Sequence, residues 1–237
     1  MDTIIFDVDD TLYDQTLPFK KAVIKQFRRT FTDEEHTELY IASRKYSDAL
    51  FHKSITGEVT TEELQTYRIT EACKEFGITI SYQEAIDFQA TYLAEQNNIT
   101  LFKEVEELLD ALFREKKQLA VLTNGEKDHQ TMKIKQLGLA KWIPEEHFFI
   151  SGEIGHAKPV PEVFNYIEEK LQLDKTKTIY IGDSFENDVV GAKQAGWQSI
   201  WLNHRHRKPT TLAQPDKVIY HTKELLEVFR NDLALID

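Results

Sequence analysis

The stretch Thr3-Ile4-Ile5-Phe6 runs directly into Asp7-Val8-Asp9-Asp10-Thr11-Leu12, and that junction decides the fold. An apolar run without polar alternation reads as a strand buried on both faces, the mark of a parallel sheet. The carboxylates that follow it then lie at the carboxyl edge of that sheet, where open α/β folds bind their ligands. Asp7 and Asp9 are two positions apart, so extended backbone turns both side chains the same way, with Cα atoms roughly 7 Å apart. That separation suits one carboxylate attacking a phosphorus while the other serves the leaving oxygen. A charged turn after a strand is the plain alternative, and the rest of the chain must decide between the two.

Three further strand ends carry matching chemistry. Leu119-Ala120-Val121-Leu122 leads into Thr123-Asn124-Gly125, a hydroxyl, an amide and a glycine whose turn suits an anion, with the positive end of a following helix adding to it. Lys158-Pro159 follows a loop, Gly152 to Ala157, and the proline is placed to open the next helix. Thr178-Ile179-Tyr180-Ile181 leads into Gly182-Asp183-Ser184, with Asn187-Asp188 close behind. Carboxylates from two strand ends are the hard oxygen ligands that Mg²⁺ takes, its other positions being filled by water and phosphate oxygen. A calcium loop of the EF-hand type does not fit the first acidic run. Leu12 stands where that loop needs glycine, and Pro18 where it needs glutamate.

In this order the four strand ends resemble the haloacid dehalogenase-like (HAD) hydrolase superfamily: Asp7-x-Asp9-x-Thr11, Thr123-Asn124, Lys158-Pro159, and Gly182-Asp183 with Asp188. The resemblance spans nearly the whole chain. It implies Asp7 as the nucleophile that forms an aspartyl-phosphate and Asp9 as general acid and then base. It implies phosphoryl-group contacts from Thr123, Asn124 and Lys158. Mg²⁺ would be held by Asp7, the backbone carbonyl of Asp9 and Asp183. Asp188 would act through water or by orienting Lys158, with Thr11 and Asn187 in support.

These roles are physically coherent. Phosphoryl transfer needs in-line positioning and charge neutralisation more than covalent help. A carboxylate approaching a dianionic phosphate is repelled unless cations cancel that charge. Asp9 also separates subfamilies, because dehalogenases of the superfamily lack that second aspartate, halide needing no proton as it departs. A phosphatase is therefore expected over a dehalogenase. Ile150 to Pro159, Trp201-Leu202-Asn203-His204-Arg205-His206-Arg207 and Asn124-Gly125 are similar to the pyrimidine 5′-nucleotidase branch. Nucleoside 5′-monophosphates are accordingly the expected substrates. Sugar-phosphate phosphatases and phosphomutases of the same superfamily stay open as alternatives. So does a phospho-aspartate receiver, which needs neither a helical insert nor Asp9 and has about half this length.

The fold class that follows is α/β: a Rossmann-like parallel-sheet core of the HAD-like kind with an inserted α-helical bundle as cap. The core takes residues 1–13 and 99–237 and the cap 14–98, with hinges expected at Asp14–Pro18 and Asn97–Leu101. Helices are expected over Phe19 to Phe31, Glu34 to His52, Thr61 to Phe76 and Ser81 to Asn97. Leu64, Tyr67, Ala72 and Phe76 would share one helical face, and Ser81 with Glu84 reads as a capping box. Strands are expected at Leu119–Leu122, His147–Ile150, Thr178–Ile181, Ser199–Leu202 and Lys217–Tyr220, in a parallel sheet. The core motifs address only a phosphoryl group, so substrate choice would fall to the insert, around Phe51, His52 and Gly57, with His156 as a further candidate. The His204–Lys208 run reads as a solvated loop ahead of a substrate-side cation cluster or a nucleic-acid patch.

Composition narrows the classes further. At 41% hydrophobic and 29% charged residues the chain can build a core. A formal charge of −11 disfavours a nucleic-acid polymer as partner and leaves a small-molecule phosphomonoester. Cys73 is the single cysteine, which removes any intramolecular disulfide and suits a helix core. The first apolar run is short and ends in acid, unlike a signal peptide, and no stretch has the length of a membrane span. A cytoplasmic enzyme is the expectation, of unspecified oligomeric state.

Overall fold

Six parallel strands form one sheet in the computed structural model, which describes residues 1–229. They are β1 (Thr3–Phe6), β2 (Gln118–Thr123), β3 (Phe148–Ile150), β4 (Thr178–Gly182), β5 (Gln198–Leu202) and β6 (Lys217–Ile219). The sheet order is β3-β2-β1-β4-β5-β6, the doubly wound order in which the chain reverses direction of growth beside the first strand. Every residue of β1 and β4 is buried, as parallel strands covered on both faces require. Phe6 stands in register with Val121 on one side and Ile181 on the other. The next residue, Asp7, donates its N–H to Ile181 O at 2.9 Å. The central strand therefore delivers Asp7 level with the ends of β2 and β4.

The chain divides into two units, Met1–Asp14 with everything from Thr100 onward, and Gln15–Ile99. In the first, one sheet face packs Ile5, Leu122 and Tyr180 against Phe164, Ile167 and Trp197. Phe164 and Ile167 belong to helix α8 (Pro161–Leu171), numbered in chain order with α5 (Lys103–Arg114), α6 (Lys127–Gln136), α7 (Ser151–Ile154), α9 (Gly191–Ala195) and α10 (Lys223–Phe229). The second unit holds α1 (Thr16–Gln26), α2 (Asp33–Ile55), α3 (Thr61–Glu75) and α4 (Tyr82–Gln96). Its centre is Phe19, whose ring meets Tyr40, Phe88 and Tyr92 edge-on with centroids 5.4–5.7 Å apart. Such edge contacts suit the ring quadrupoles. Cys73 is buried there, and burial pushes its thiol up to about 12.

The Ser81 capping box is present, with reciprocal bonds of 3.2 and 2.8 Å to Glu84. The same motif starts α2 at Thr32 and α3 at Thr60. Several local expectations need correction. Tyr67 is exposed, and the buried face of α3 is Leu64, Ile69, Ala72 and Cys73. A polar rim position suits a tyrosine whose neighbours at 69, 72 and 73 already complete the stripe. α1 begins at Thr16, so Pro18 lies in its first turn, where a missing N–H costs nothing. Ser151–Ile154 is a helical turn, and Pro161 rather than Pro159 opens α8. Phe51 and His52 lie in the last turns of α2, which runs on to Ile55. Among the described residues no helix is long and apolar enough to cross a membrane. Residues 230–237 of the expected core range lie outside the described residues.

Candidate active site

Asp7 is buried, and both of its oxygens are engaged. Lys158 Nζ donates to Oδ1 at 2.8 Å, and the Thr11 hydroxyl approaches Oδ2 at 3.3 Å. Lys158 is itself buried and gives its remaining protons to Asp188 Oδ1 and to Tyr180 Oη, each at 2.7 Å. Tyr180 passes its own proton to Leu122 O at 2.7 Å. Asn124 holds the lysine from behind. Its Nδ2 donates to Lys158 O and its Oδ1 accepts from Lys158 N, both at 2.9 Å. The Asn124 carboxamide thus fixes backbone instead of facing the cleft. The adjoining Lys158–Pro159 peptide is cis.

The end of β4 brings Asp183 and Asp188 to the same place. Ser184 N donates to Asp188 Oδ2 at 2.8 Å, closing a π-helical turn, Phe185–Val190, that carries Asp188 back over the strand end. Asn187 lies half-buried on that turn with its N–H on Ser184 Oγ at 3.3 Å. One oxygen each of Asp7, Asp183 and Asp188 lies within 4.8 Å of the others. Burial pushes the Asp7 carboxyl up to about 7, Lys158 opposing and Asp188 adding to the rise. Burial likewise holds Asp183 well above the carboxylate range, with Arg207 opposing. Desolvation would lower Lys158, yet Asp188 and Asp7 keep its ammonium above its ordinary value.

Burial raises both carboxyls and the neighbouring carboxylates add to the rise, and a divalent cation at the trio would offset both effects. Oxygen donors alone, at separations one ion can bridge, fit Mg²⁺. The residues present therefore fit the metal. The Asp9 side chain stays outside this trio.

Asp9 has its own cradle. Lys133 Nζ meets its two oxygens at 2.7 and 2.8 Å, Gln130 Nε2 donates at 2.9 Å and Tyr13 Oη at 2.5 Å. Against the desolvation that would raise it, Lys133 and these hydrogen bonds hold the Asp9 carboxyl well below the usual range. Thr123 closes β2 with a buried hydroxyl that finds no partner among the described residues. A buried hydroxyl without a partner is costly, and it marks a place for a polar ligand atom. Part of the positive end of α6 is already taken: the Asp128 and His129 N–H groups of its first turn donate to the Glu126 carboxylate at 3.0 and 2.8 Å.

The basic run after β5 is solvated only in part: His206 and Lys208 are exposed, whereas Arg205 and Arg207 turn inward. Arg205 bridges Asp10, at 3.0 and 2.7 Å, and Asp14, at 2.7 Å, while Arg207 Nη1 lies 3.1 Å from Asp183 Oδ2. Acidic loops at the strand ends draw these side chains inward, since a desolvated carboxylate needs a counter-ion more than a surface arginine needs water. His156 is exposed on the loop before Lys158. In the helical unit Phe51 is half-buried and His52 exposed. Sequence reasoning did not single out Tyr180, Lys133, Gln130 or Tyr13. Only the unbroken apolar context of Tyr180 hinted that its phenol must find a buried partner.

The family model of the haloacid dehalogenase-like hydrolases matches residues 1–196. The pyrimidine 5′-nucleotidase PynA of Streptococcus pneumoniae is 27% identical over 227 residues, covering 94% of this chain and 93% of that protein. The phosphoserine phosphatase of Thermus thermophilus is 28% identical over 258 residues, covering 97% and 98%. The crystal structure of the HAD-hydrolase YfnB of Bacillus subtilis, bound to magnesium, superimposes with a TM-score of 0.72. It shares 24% identity over 96% of this chain and 98% of that one.

Proposed function

The chain belongs to the haloacid dehalogenase-like hydrolases, and from that membership we propose that it is a Mg²⁺-dependent phosphatase of small phosphomonoesters, nucleoside 5′-monophosphates first among them. The observation that carries the reading is the juxtaposition of Asp7, Lys158 and the Asp183–Asp188 pair, with the unpartnered Thr123 hydroxyl at the end of the adjoining strand β2. Asp7 and Asp183, with the Asp9 backbone carbonyl, would hold the metal. When bound, it supplies positive charge to the transferring phosphoryl group and to the Asp7 carboxylate.

Asp7 attacks phosphorus and forms the aspartyl-phosphate, which divides one difficult hydrolysis into two easier steps. Asp9, held ionised by Lys133, Gln130 and Tyr13, is ready to take a proton from the water that hydrolyses the acyl-phosphate; to give one to the departing alkoxide in the first step it must first loosen its contact with Lys133. Thr123 Oγ1 donates to a phosphoryl oxygen. Lys158 holds Asp7 against Asp188 and reaches the phosphoryl group by exchanging one of its three partners. Asn124 sets the lysine backbone. The two relatives described above act on different small phosphate esters. The resemblance at Ile150 to Pro159 and Trp201 to Arg207 favours the nucleotide. We assign selectivity for the remainder of the substrate to the helical unit, because the site residues address only what all phosphomonoesters share.

The test is phosphate release from dUMP, UMP, TMP and sugar phosphates with Mg²⁺, with and without EDTA, by the wild type and Asp7→Asn. Expected are nucleotide hydrolysis that EDTA abolishes reversibly and an Asp7→Asn protein, folded by circular dichroism, that loses at least ~10³-fold in kcat. Full activity in excess EDTA, or a turning-over Asp7→Asn protein, overturns the metal or the covalent step respectively. Isomerised sugar phosphate in place of inorganic phosphate identifies a mutase.

A further inference from the structure

We propose that Arg207 is a built-in occupant of Asp183, a guanidinium that competes with the divalent cation for this carboxylate and must leave it for the metal to bind. The inference rests on the reading of Asp183 as a metal ligand, and it concerns a side chain to which the phosphatase reading gives no chemical role.

The loop after β5 is shaped to aim this one side chain. Asn203 is buried, and its carboxamide takes both backbone groups of Arg207. Oδ1 accepts from Arg207 N at 2.7 Å and Nδ2 donates to Arg207 O at 2.9 Å. His206 adopts a left-handed backbone, φ +52°, which a non-glycine residue keeps only where its surroundings enforce it. Its ring is stacked on Tyr220, centroids 5.3 Å apart, which supplies part of that enforcement. With the backbone pinned on both sides, the guanidinium is carried to Asp183 Oδ2, 3.1 Å away. Asp183 is pinned as well, through Trp201 Nε1 on its carbonyl at 2.9 Å.

The surrounding charges explain why a cation is held there. Asp183 lies among Asp7, Asp10 and Asp188, whose fields all disfavour its ionisation. Lys158 is committed to Asp7 and Asp188, and Arg205 to Asp10 and Asp14. Among the described residues Arg207 is the cation in contact with Asp183. It also stands 4.0 Å from Asp10, a second anchor to which it can retreat. A dication and a guanidinium on one carboxylate repel each other and divide the same lone pairs, so their occupancies oppose each other. About a third of the Arg207 side chain is exposed, at 35%. Solvent and salt therefore reduce the repulsion without removing it, and the side chain has a way out.

The experiment is calorimetric titration of metal-stripped protein with MgCl₂ alone, for the wild type, Arg207→Gln, Arg207→Lys and Asp183→Asn. The expected result is Mg²⁺ affinity about tenfold higher in Arg207→Gln, a gain that shrinks as KCl is added, as a Coulombic term must. Arg207→Lys, which keeps the charge, should stay within about threefold of the wild type. In thermal denaturation the metal-free Arg207→Gln protein should melt below the metal-free wild type, and the two should converge in saturating Mg²⁺. Arg207→Met, which keeps the aliphatic stem, enters the same titration if the glutamine variant does not fold. Affinity in the neutral variant equal to or weaker than that of the wild type overturns the proposal. A wild type that binds no Mg²⁺, or an Asp183→Asn protein that binds it as well as the wild type does, overturns the metal reading and this inference with it.

Discussion

Lys158 has three N–H donors and spends them on Asp7, Asp188 and Tyr180. Two of those partners could be anticipated, because each follows a strand and so belongs to a motif with a fixed spacing. Tyr180 could not, because it lies inside β4 and reads as one more apolar strand residue. Its phenol acquires a purpose only once β4 is paired with β1 and β2 lies beyond, which puts Leu122 O 2.7 Å away. Lys133 escaped for the same reason. A lysine on a polar helix looks solvated until the fold turns that face toward Asp9. Tyr180→Phe removes an acceptor from Lys158 and a donor from Leu122 O, leaving two buried groups unsatisfied. The expected cost is about 1–3 kcal/mol in urea denaturation. A fall in kcat larger than any change in KM should accompany it, since the lysine loses one of the contacts that aim it at Asp7. A variant with wild-type kcat and stability would remove Tyr180 from this network.

Secondary elements were most legible where a local rule acts alone. Ser81 and Glu84 three residues apart announce a helix start, and the apolar runs before Asp7, Thr123 and Asp183 announce buried strands. Legibility failed where two local rules compete, as at Pro159 and Pro161, or where a neighbour claims the expected group, as Glu126 does at the start of α6. The π-helical turn after β4 was not foreseeable, because its wide winding is set by what it must bring together. It returns Asp188 so close to the strand that a Cβ on Gly182 would stand 2.2 Å from Asp188 Oδ2 and 2.4 Å from its Cγ. Glycine at 182 is therefore a packing requirement of the turn. Gly182→Ala must push Asp188 off Lys158 and Ser184, since its carboxylate is bonded to both. The expected outcome is a loss of at least ~10-fold in kcat and about 1–3 kcal/mol in stability. Measured turnover and melting temperature both at wild-type level would show that the turn relaxes at no cost.

At the scale of the molecule, the side chains gathered at the site all come from the unit formed by Met1–Asp14 and the chain from Thr100 onward. That unit has its own core on the sheet, and the helical unit has another around Phe19. The chain leaves the sheet unit and returns to it at neighbouring points, because Phe102 N donates to Leu12 O at 2.9 Å. A short Gly/Ser linker can therefore join Asp14 to Thr100 without straining either end. The prediction is that a protein with residues 15–99 replaced by such a linker folds cooperatively and keeps a Mg²⁺-dependent rise in melting temperature. It should hydrolyse p-nitrophenyl phosphate, whose leaving group needs little help, at a reduced rate. It should lose the preference for nucleotide over generic ester that the full chain shows, since phosphoryl contacts alone cannot tell esters apart. The comparison is the ratio of kcat/KM for dUMP to that for p-nitrophenyl phosphate in the two proteins. A shortened protein that folds and keeps the full-length ratio places selectivity in the sheet unit, with exposed His156 on the Lys158 loop as the residue to change next.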